Sequence, residues 1–167
     1  MNKQNLDRRF FLGLSGTAAI GGLLVLAAGG ASSSASAVSF EFRRSDAEWR
    51  RRLGPQRYAI LRKEGTERAF TSPLLKEHRK GAFDCAGCGL PLFSSTAKYD
   101  SGTGWPSFWK ALPGAIATSR DMMFGMVRVE EHCRRCGGHL GHIFDDGPPP
   151  TGQRHCINGL SLIFKPA

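Results

Sequence analysis

Two short stretches, DCAGCG at residues 84–89 and HCRRCG at residues 132–137, decide how this chain folds. Each holds one C-x-x-C unit followed by glycine, and the four cysteines are Cys85, Cys88, Cys133 and Cys136. Such a unit makes a tight turn with both sulfurs on one side, and two units supply the four thiolates of a tetrahedral zinc site. We therefore predict a structural zinc ion that fastens a small domain.

The separation of the two units leaves alternatives to zinc open. Between Cys88 and Cys133 lie 44 residues, against about 15 to 20 in a simple zinc ribbon, so the ion would join two knuckles across an inserted sheet region. The alternatives are two disulfides or one redox-active C-x-x-C unit. Neither unit follows the strand-to-helix pattern of a thioredoxin site. The matched spacing therefore favours zinc.

The composition is that of a globular chain with a basic excess. Its 167 residues include 23 Lys and Arg against 14 Asp and Glu, and 41% are apolar. This apolar fraction excludes wholesale disorder, and the glycines and prolines follow no collagen-like period. The formal net charge of +9 would attract acidic partners. No aromatic platform alternates with Lys or Arg, so we expect no nucleic acid among those partners.

The first 37 residues are interpreted as an export signal ahead of one domain, residues 38–167. A positive head containing Arg8 and Arg9 precedes an uncharged stretch and an A-x-A cleavage pattern that ends at Ala37. The arginine pair resembles a twin-arginine signal, which predicts a periplasmic bacterial protein that meets the membrane only during export. The alternative is an uncleaved anchor, because the uncharged stretch approaches the length of a membrane span.

The pattern of residues 38–167 indicates a mainly β, α+β domain. Ser45 and Glu48 have the capping-box spacing, and Gly54-Pro55 should end one short helix and open a second. From Gly81 onward, short apolar runs between turns predict strands. One predicted strand runs from Met126 to Glu130, and the best candidate runs without a break from Cys156 to Phe164.

The fifth cysteine, Cys156, belongs to neither C-x-x-C unit. A lone cysteine is by default a small buried hydrophobe. Here Arg154 and His155 precede it and can lower the pKa of the thiol by stabilising the thiolate. Strand alternation would place Asn158 on the same side as the sulfur. These neighbours make Cys156 a candidate nucleophile.

Two histidines lie upstream of Cys156, in the segment His139-Leu140-Gly141-His142. Either can be a zinc ligand, or can be a structural residue with its ring nitrogens bonded to backbone carbonyls. Four cysteines already complete a tetrahedron, which leaves both imidazoles available for proton transfer. We therefore regard His139 and His142 as candidate proton donors.

Three further motifs carry a resemblance to a known family. They are GWPSF at 104–108, HLGHIFDDGP at 139–148 and RHCING at 154–159. Interleaved with the two C-x-x-C units, they closely resemble the B-type methionine sulfoxide reductases over residues 45–166. The resemblance implies two antiparallel β-sheets, short N-terminal helices and a zinc site remote from catalysis. It also implies reduction of methionine R-sulfoxide in oxidised proteins, a repair activity under oxidative stress.

The resemblance also implies a role for each matching residue. Cys156 would attack the sulfoxide sulfur and become a sulfenic acid, and His139 and His142 would supply the proton. Asn158 would orient water or a histidine, and Trp105 would receive the methyl group of the substrate. The predicted substrate-binding residues are Trp105, Phe108 and Arg154.

One position departs from a common version of the family pattern. Thr103, in Ser101-Gly102-Thr103-Gly104-Trp105, stands where many members carry a resolving cysteine. Four cysteines are then assigned to zinc and one to catalysis, so we expect a thioredoxin-like protein or a small thiol to reduce Cys156 through a mixed disulfide. We expect a monomer. The alternative from another class is a zinc-stabilised binding module of the same fold without turnover.

Overall fold

A computed structural model describes residues 39–122 and 127–167 of the chain. The described residues form one helical element, α1 (Asp46–Lys63), short 3-10 turns and nine strands. The strands are β1 (Gly81–Cys85), β2 (Pro91–Ser94), β3 (Lys98–Tyr99), β4 (Ser107–Phe108), β5 (Ile116–Asp121), β6 (Arg128–Cys133), β7 (His139–Phe144), β8 (Arg154–Ile157) and β9 (Leu162–Pro166). No helix in the described ranges is long and apolar enough to cross a membrane. The predicted export signal lies outside these ranges.

The start of α1 confirms the predicted capping box. The Ser45 hydroxyl accepts from the Glu48 backbone N–H, and the Glu48 carboxylate accepts from the Ser45 backbone N–H at 2.8 Å. Inside α1, Gly54 leaves the helical conformation at φ 66° and ψ 174°, directly before Pro55. The element is therefore two helical segments joined at a kink, as the Gly-Pro pair predicts.

The strands form two antiparallel sheets, which confirms the predicted mainly β fold. The smaller sheet has the order β2-β1-β9, and the larger has the order β3-β4-β8-β7-β6-β5. Every pairing within them is antiparallel. The larger sheet places β8 between β4 and β7, and this arrangement positions the residues that flank Cys156.

Aromatic side chains from both sheets pack together in the core. Phe93 of the small sheet stacks on Phe108 of the large one, with ring centroids 4.3 Å apart, and Phe83 meets the same ring edge-on at 5.0 Å. All three are fully buried. Trp49 and Leu61 of α1 belong to the same apolar core. Burial of such large rings supplies much of the driving force for a domain of this size.

The predicted continuous strand from Cys156 to Phe164 is wrong, because the chain turns in the middle of it. Strand β8 ends at Ile157, a 3-10 turn covers Gly159–Ser161, and β9 begins at Leu162 in the other sheet. Gly159 packs so closely on Ser72 that a Cβ atom would collide with its hydroxyl. The apolar alternation that predicted one strand thus spans a crossover between two sheets.

Candidate active site

The two C-x-x-C units form matching knuckles. In each one, the N–H of the glycine that follows the second cysteine donates 2.8 Å to the carbonyl of the first cysteine. Both glycines, Gly89 and Gly137, have a positive φ, at 74° and 66°. The left-handed conformation is costly for other residues, so glycine at this point lets each knuckle close. The two sulfurs of one knuckle then face the two sulfurs of the other.

The four sulfurs fit one tetrahedral metal ion. All four sulfur atoms lie within 4.8 Å of one another, and their residues are buried. The shortest separations cross between knuckles, at 3.7 Å from Cys85 to Cys136 and 3.6 Å from Cys88 to Cys133. Tetrahedral zinc–thiolate bonds of about 2.3 Å require sulfurs about 3.8 Å apart, whereas a disulfide requires about 2.05 Å. This spacing suits one metal ion held by four thiolates and is too wide for disulfides.

Cys156 is partly buried in β8 and lies apart from the metal cluster. Strand register pairs it with His142 on β7 and with Ser107 on β4. Residues directly opposite in antiparallel strands point to the same side of the sheet. The same row continues from His142 to Glu130 on β6. A line of polar groups therefore crosses the large sheet on the face that carries the Cys156 sulfur.

A cleft of about 130 Å³ opens onto Cys156. Three residues predicted from the sequence line it together with the cysteine: Trp105, His142 and Asn158. Phe144 also lines the cleft, and its ring centroid is 6.5 Å from that of His142. The cleft therefore combines a sulfur, an imidazole and two aromatic rings, a suitable set for binding a small apolar group beside a nucleophile.

Both predicted histidines are held by carboxylates. His142 Nε2 lies 2.8 Å from Asp121 Oδ2, and His139 Nδ1 lies 2.7 Å from Glu130 Oε1. Burial lowers the pKa of His142, and the hydrogen bond to Asp121 opposes this effect. The rings are 5.5 Å apart, edge to face. His139 is buried and lines a neighbouring hollow of about 510 Å³ together with His142.

The Asn158 side chain joins two segments of backbone beside the cleft. Its Nδ2 donates to the Leu140 carbonyl at 3.0 Å, and its Oδ1 accepts from the Glu67 N–H at 2.9 Å. The residue is only 4% exposed. An unpaired buried amide is costly, so these bonds fix the segment after α1 against β7. Asn158 therefore positions the backbone beside the cleft, and its side-chain bonds go to Leu140 and Glu67 rather than to either histidine.

Trp105 is positioned by its own backbone and by Glu67. Its indole Nε1 donates to the Glu67 carbonyl at 3.1 Å. Gly104, which precedes it, has φ 91°, and a Cβ there would lie 2.9 Å from the Phe70 nitrogen. This turn requires glycine both for its conformation and for its close packing. The ring is thus fixed at one wall of the cleft and remains partly exposed.

Three residues that the sequence placed near the substrate or the thiol do not line the cleft, although Arg154 still acts on the thiol through its charge. Phe108 is 0% exposed and stacks in the core, so it has no surface to offer a substrate. Arg154 does not line the cleft; it donates twice to Asp146, at 2.8 and 2.9 Å, and its guanidinium lies over Phe144. His155 points away from Cys156 to a buried Glu131, 2.8 Å distant.

The net pKa shift of the Cys156 thiol is opposite in sign to the sequence prediction. Burial raises the pKa of the thiol, and the positive charge of Arg154 lowers it as predicted but only in part. The Oγ1 of Thr103 lies 4.0 Å from Cys156 Sγ. His155 does not contribute, because alternation along β8 directs it into the core.

Sequence analysis assigned no role to two acidic residues that organise the site. Glu67 accepts from the Gly159 and Leu160 N–H groups and is bonded through its backbone to Asn158 and Trp105. Asp121 bonds to His142 and to Arg128. Neither residue belongs to a motif or lines the cleft, and both act on cleft residues through contacts that only the tertiary fold creates. Local spacing in the sequence therefore gives no signal for either one.

Comparison with known proteins gives one consistent result. Residues 53–166 match the family described as the SelR domain. A peptide methionine sulfoxide reductase MsrB of Thiobacillus denitrificans is 57% identical over 124 residues, 74% of this chain and 94% of the relative. The protein of the same description from Agrobacterium fabrum is 55% identical, over 74% and 92%, and that from Leptospira interrogans is 50% identical, over 77% and 98%.

Proposed function

Because the chain belongs to the MsrB-type peptide methionine sulfoxide reductases, and so reduces peptide methionine (R)-S-oxide, we propose that Cys156 is the nucleophile of this reaction. The main support for this proposal is that Cys156 lines the cleft. Among the five cysteines, Cys156 is the one that lines it, beside Trp105 and His142. The other four form the buried metal cluster.

The proposed step transfers one oxygen atom. The Cys156 thiolate attacks the sulfoxide sulfur, the sulfoxide oxygen takes up a proton, and the oxygen passes to the cysteine sulfur as the substrate leaves as methionine. Cys156 is thereby oxidised to a sulfenic acid, and the sulfoxide is reduced. The reaction consumes no metal electron and needs no cofactor, since the thiol supplies both electrons.

The walls of the cleft suit the methyl group of methionine sulfoxide. Trp105 and Phe144 present aromatic surface, which attracts an apolar methyl group away from water. The sulfoxide oxygen is the polar end of the substrate, and the imidazole of His142 lies on the same cleft. A substrate held between them directs its sulfur toward Cys156.

His142 is the proposed proton donor to that oxygen. Its ring bonds to Asp121, which opposes the lowering of the His142 pKa by burial and so preserves some of the protonated form. His139 lies behind it, paired with Glu130, and we assign it to support of the His142 ring. Neither histidine is among the four ligands of the metal cluster.

We propose that an external thiol reduces the Cys156 sulfenic acid back to the thiol. Thr103 occupies the position nearest Cys156 where many relatives of this kind carry a second cysteine, and its oxygen cannot form a disulfide. One thiol attacks the sulfenic sulfur and releases water, giving a mixed disulfide. A second thiol then releases the Cys156 thiol and an external disulfide.

Zinc is the proposed occupant of the four-cysteine cluster. Soft thiolates in a tetrahedral arrangement select zinc over oxygen-preferring ions, and such a site contributes folding energy rather than chemistry. Cys85 and Cys88 would hold it from the first knuckle and Cys133 and Cys136 from the second. No zinc ligand lines the cleft.

Export by a twin-arginine signal remains a proposal that rests on the sequence of residues 1–37. Arg8 and Arg9 precede the uncharged stretch, and a folded, metal-loaded domain suits a pathway that carries folded proteins. Replacing both arginines by lysine should retain the protein in the cytoplasm on cell fractionation. Continued periplasmic accumulation of that variant would contradict this signal.

The activity is tested with a peptide containing racemic methionine sulfoxide and dithiothreitol. We expect consumption of the R epimer alone, and loss of all turnover in Cys156→Ser. A Thr151→Ser variant is the matched control, because Thr151 is exposed and bonds away from the cleft to the Trp109 carbonyl. Full activity of Cys156→Ser would refute the proposed nucleophile.

A further inference from the structure

A second hollow, separate from the cleft, lies beside residues that adjoin Cys156. It has a volume of about 380 Å³ and is built from the turn between β3 and β4 and the loop between β7 and β8. Its lining includes Asp100, Thr103, Asp146, Pro148 and Arg154. Among the described residues, the linings of the hollow and of the cleft have no member in common.

Two residues that line this hollow act on the reactive sulfur. Thr103 Oγ1 is 4.0 Å from Cys156 Sγ, and the positive charge of Arg154 lowers the pKa of the same thiol. Arg154 is held in place by its two bonds to Asp146. Cys156 therefore lines the cleft and also adjoins the wall of the hollow.

Reduction of the Cys156 sulfenic acid needs a second path by which a thiol can reach the sulfur. After oxygen transfer, the new S–O bond points from Cys156 into the cleft, where the substrate sulfur lay. Displacement at a divalent sulfur is in line, so the attacking sulfur must arrive opposite the departing oxygen. A thiolate entering through the hollow, which shares no described lining residue with the cleft, would approach the sulfur by a separate path, and Arg154 in its lining would stabilise the incoming negative charge.

We infer that the hollow lined by Asp100, Thr103, Asp146 and Arg154 is the binding site of the reducing thiol. This inference rests on the proposed function and deepens it, because it separates the path of the reductant from the path of the sulfoxide. The thiolate forms a bond to the Cys156 sulfur, and the sulfenic oxygen leaves with a proton as water. A second thiol then cleaves the mixed disulfide.

The charges at this site predict which thiols react well. Two lining carboxylates, Asp100 and Asp146, stand against one lining guanidinium, Arg154, and Asp146 is already paired with it. Asp100 is exposed at the rim, where its Oδ1 accepts from the Gly102 N–H at 2.9 Å. A thiol that carries a carboxylate is therefore repelled by Asp100, and a neutral or cationic thiol is not.

The test uses Asp100→Asn, which keeps the oxygen that accepts from Gly102 and removes the charge. Full-length protein is first oxidised with one equivalent of sulfoxide peptide. Its sulfenic acid is then reduced by cysteamine, 2-mercaptoethanol or 3-mercaptopropionate, with rates corrected for thiolate content. We expect Asp100→Asn to accelerate reduction by mercaptopropionate about three- to tenfold and to leave 2-mercaptoethanol unchanged. Reduced thioredoxin, in a parallel arm, distinguishes a protein thiol from a small one.

The control variant is Glu41→Gln, which removes one exposed carboxylate from outside the hollow. Equal effects of Asp100→Asn and Glu41→Gln on all three thiols would overturn the inference. The first step provides an internal check, since one methionine released per chain in both variants shows that the catalytic half-reaction is intact. Failure of that step in the unaltered protein would instead refute the proposed function.

Discussion

At the scale of single residues, the environment of Cys156 limits how fast the enzyme can react. Burial raises the pKa of its thiol, and Arg154 and Thr103 recover only part of that cost. In the proposed reaction the thiolate is the nucleophile, so its fraction at neutral pH limits the rate of attack. That fraction increases as pH rises toward the raised pKa.

Replacing Arg154 by glutamine tests the role of its charge. The substitution removes a contribution that lowers the Cys156 pKa, so the pKa rises further and the thiolate fraction at pH 7 falls. We expect a single-turnover rate about three- to tenfold lower at pH 7 and close to that of the unaltered enzyme at high pH. A uniform loss at every pH would contradict the electrostatic explanation.

Asp121→Asn tests the proposed proton donor. His142 faces Asp121, Arg128 and His139; the first raises its pKa, and the other two lower it, as does burial. Removing the carboxylate lowers the pKa of His142 further, so the protonated form is lost at a lower pH. At pH 8, above the pKa of His142, less of the imidazole is then protonated, so activity should fall about three- to tenfold, whereas activity at acid pH, where His142 is protonated in both proteins, should be unchanged. An equal loss at acid pH and at pH 8, or no loss at either, would exclude His142 as the acid.

Site residues could be predicted from the sequence where the residue type and its motif are distinctive. Cys156 is the cysteine outside the two units, and His142 and Trp105 lie in compact motifs, so all three were identified from the sequence. Glu67 and Asp121 were not, because acidic residues are common and their partners lie far away in the chain. Phe108 was misassigned because sequence cannot distinguish a buried ring from one that faces a cleft.

At the scale of elements, strand register assembles the site. His142, Cys156 and Ser107 are paired across β7, β8 and β4. A shift of one residue in any of these pairings would move a side chain to the opposite face. Gly141 beside them allows β7 to approach β8, since a Cβ there would collide with the Cys156 carbonyl oxygen. Such a register cannot be deduced from one sequence.

Asn158→Ala tests how the turn after β8 supports the site. The variant loses both side-chain bonds and leaves the buried Glu67 N–H without this acceptor, whereas the Leu140 carbonyl still accepts from the backbone N–H of residue 158. We expect the free energy of unfolding to fall by about 1–3 kcal/mol, and kcat to fall more than tenfold as Trp105 and Cys156 lose their relative placement. Measurements of urea unfolding and turnover check this.

The matched control for this element is Gln153→Ala, a substitution at an exposed residue just before β8. It should change stability by less than about 0.5 kcal/mol. If Asn158→Ala loses stability but keeps normal turnover, the asparagine supports only the fold.

The helix start and the Gly54 kink were predictable at this scale because capping and Gly-Pro signals are local. The crossover at Gly159–Ser161 was not, because it depends on packing against Ser72.

At the scale of the whole molecule, the metal cluster joins segments that are distant in sequence. The knuckle of Cys85 follows β1 of the small sheet, and the knuckle of Cys133 follows β6 of the large one. The sequence predicted this cluster because its spacing is regular and its chemistry specific. The order of strands in the two sheets became visible only in the structure.

Removal of the metal should unfold the domain rather than alter its chemistry. We expect one zinc ion per chain by elemental analysis. Cys88→Ser should lose the ion and lower Tm by about 10 °C or more, because a four-thiolate site loses one ligand. Cys156→Ser is the matched control and should keep both the zinc and the Tm. A Cys88→Ser protein with unchanged Tm would contradict a structural role for the site.

In the proposed reaction the sulfur of Cys156, outside the four-cysteine cluster, takes the oxygen from the substrate. This step is tested by mass spectrometry of the protein after a single turnover with methionine R-sulfoxide peptide and no reductant. We expect one methionine released per chain and one oxygen added at Cys156, trapped as a sulfenic acid adduct. A disulfide between Cys156 and Cys85, Cys88, Cys133 or Cys136, or methionine formed without any change at Cys156, would contradict it.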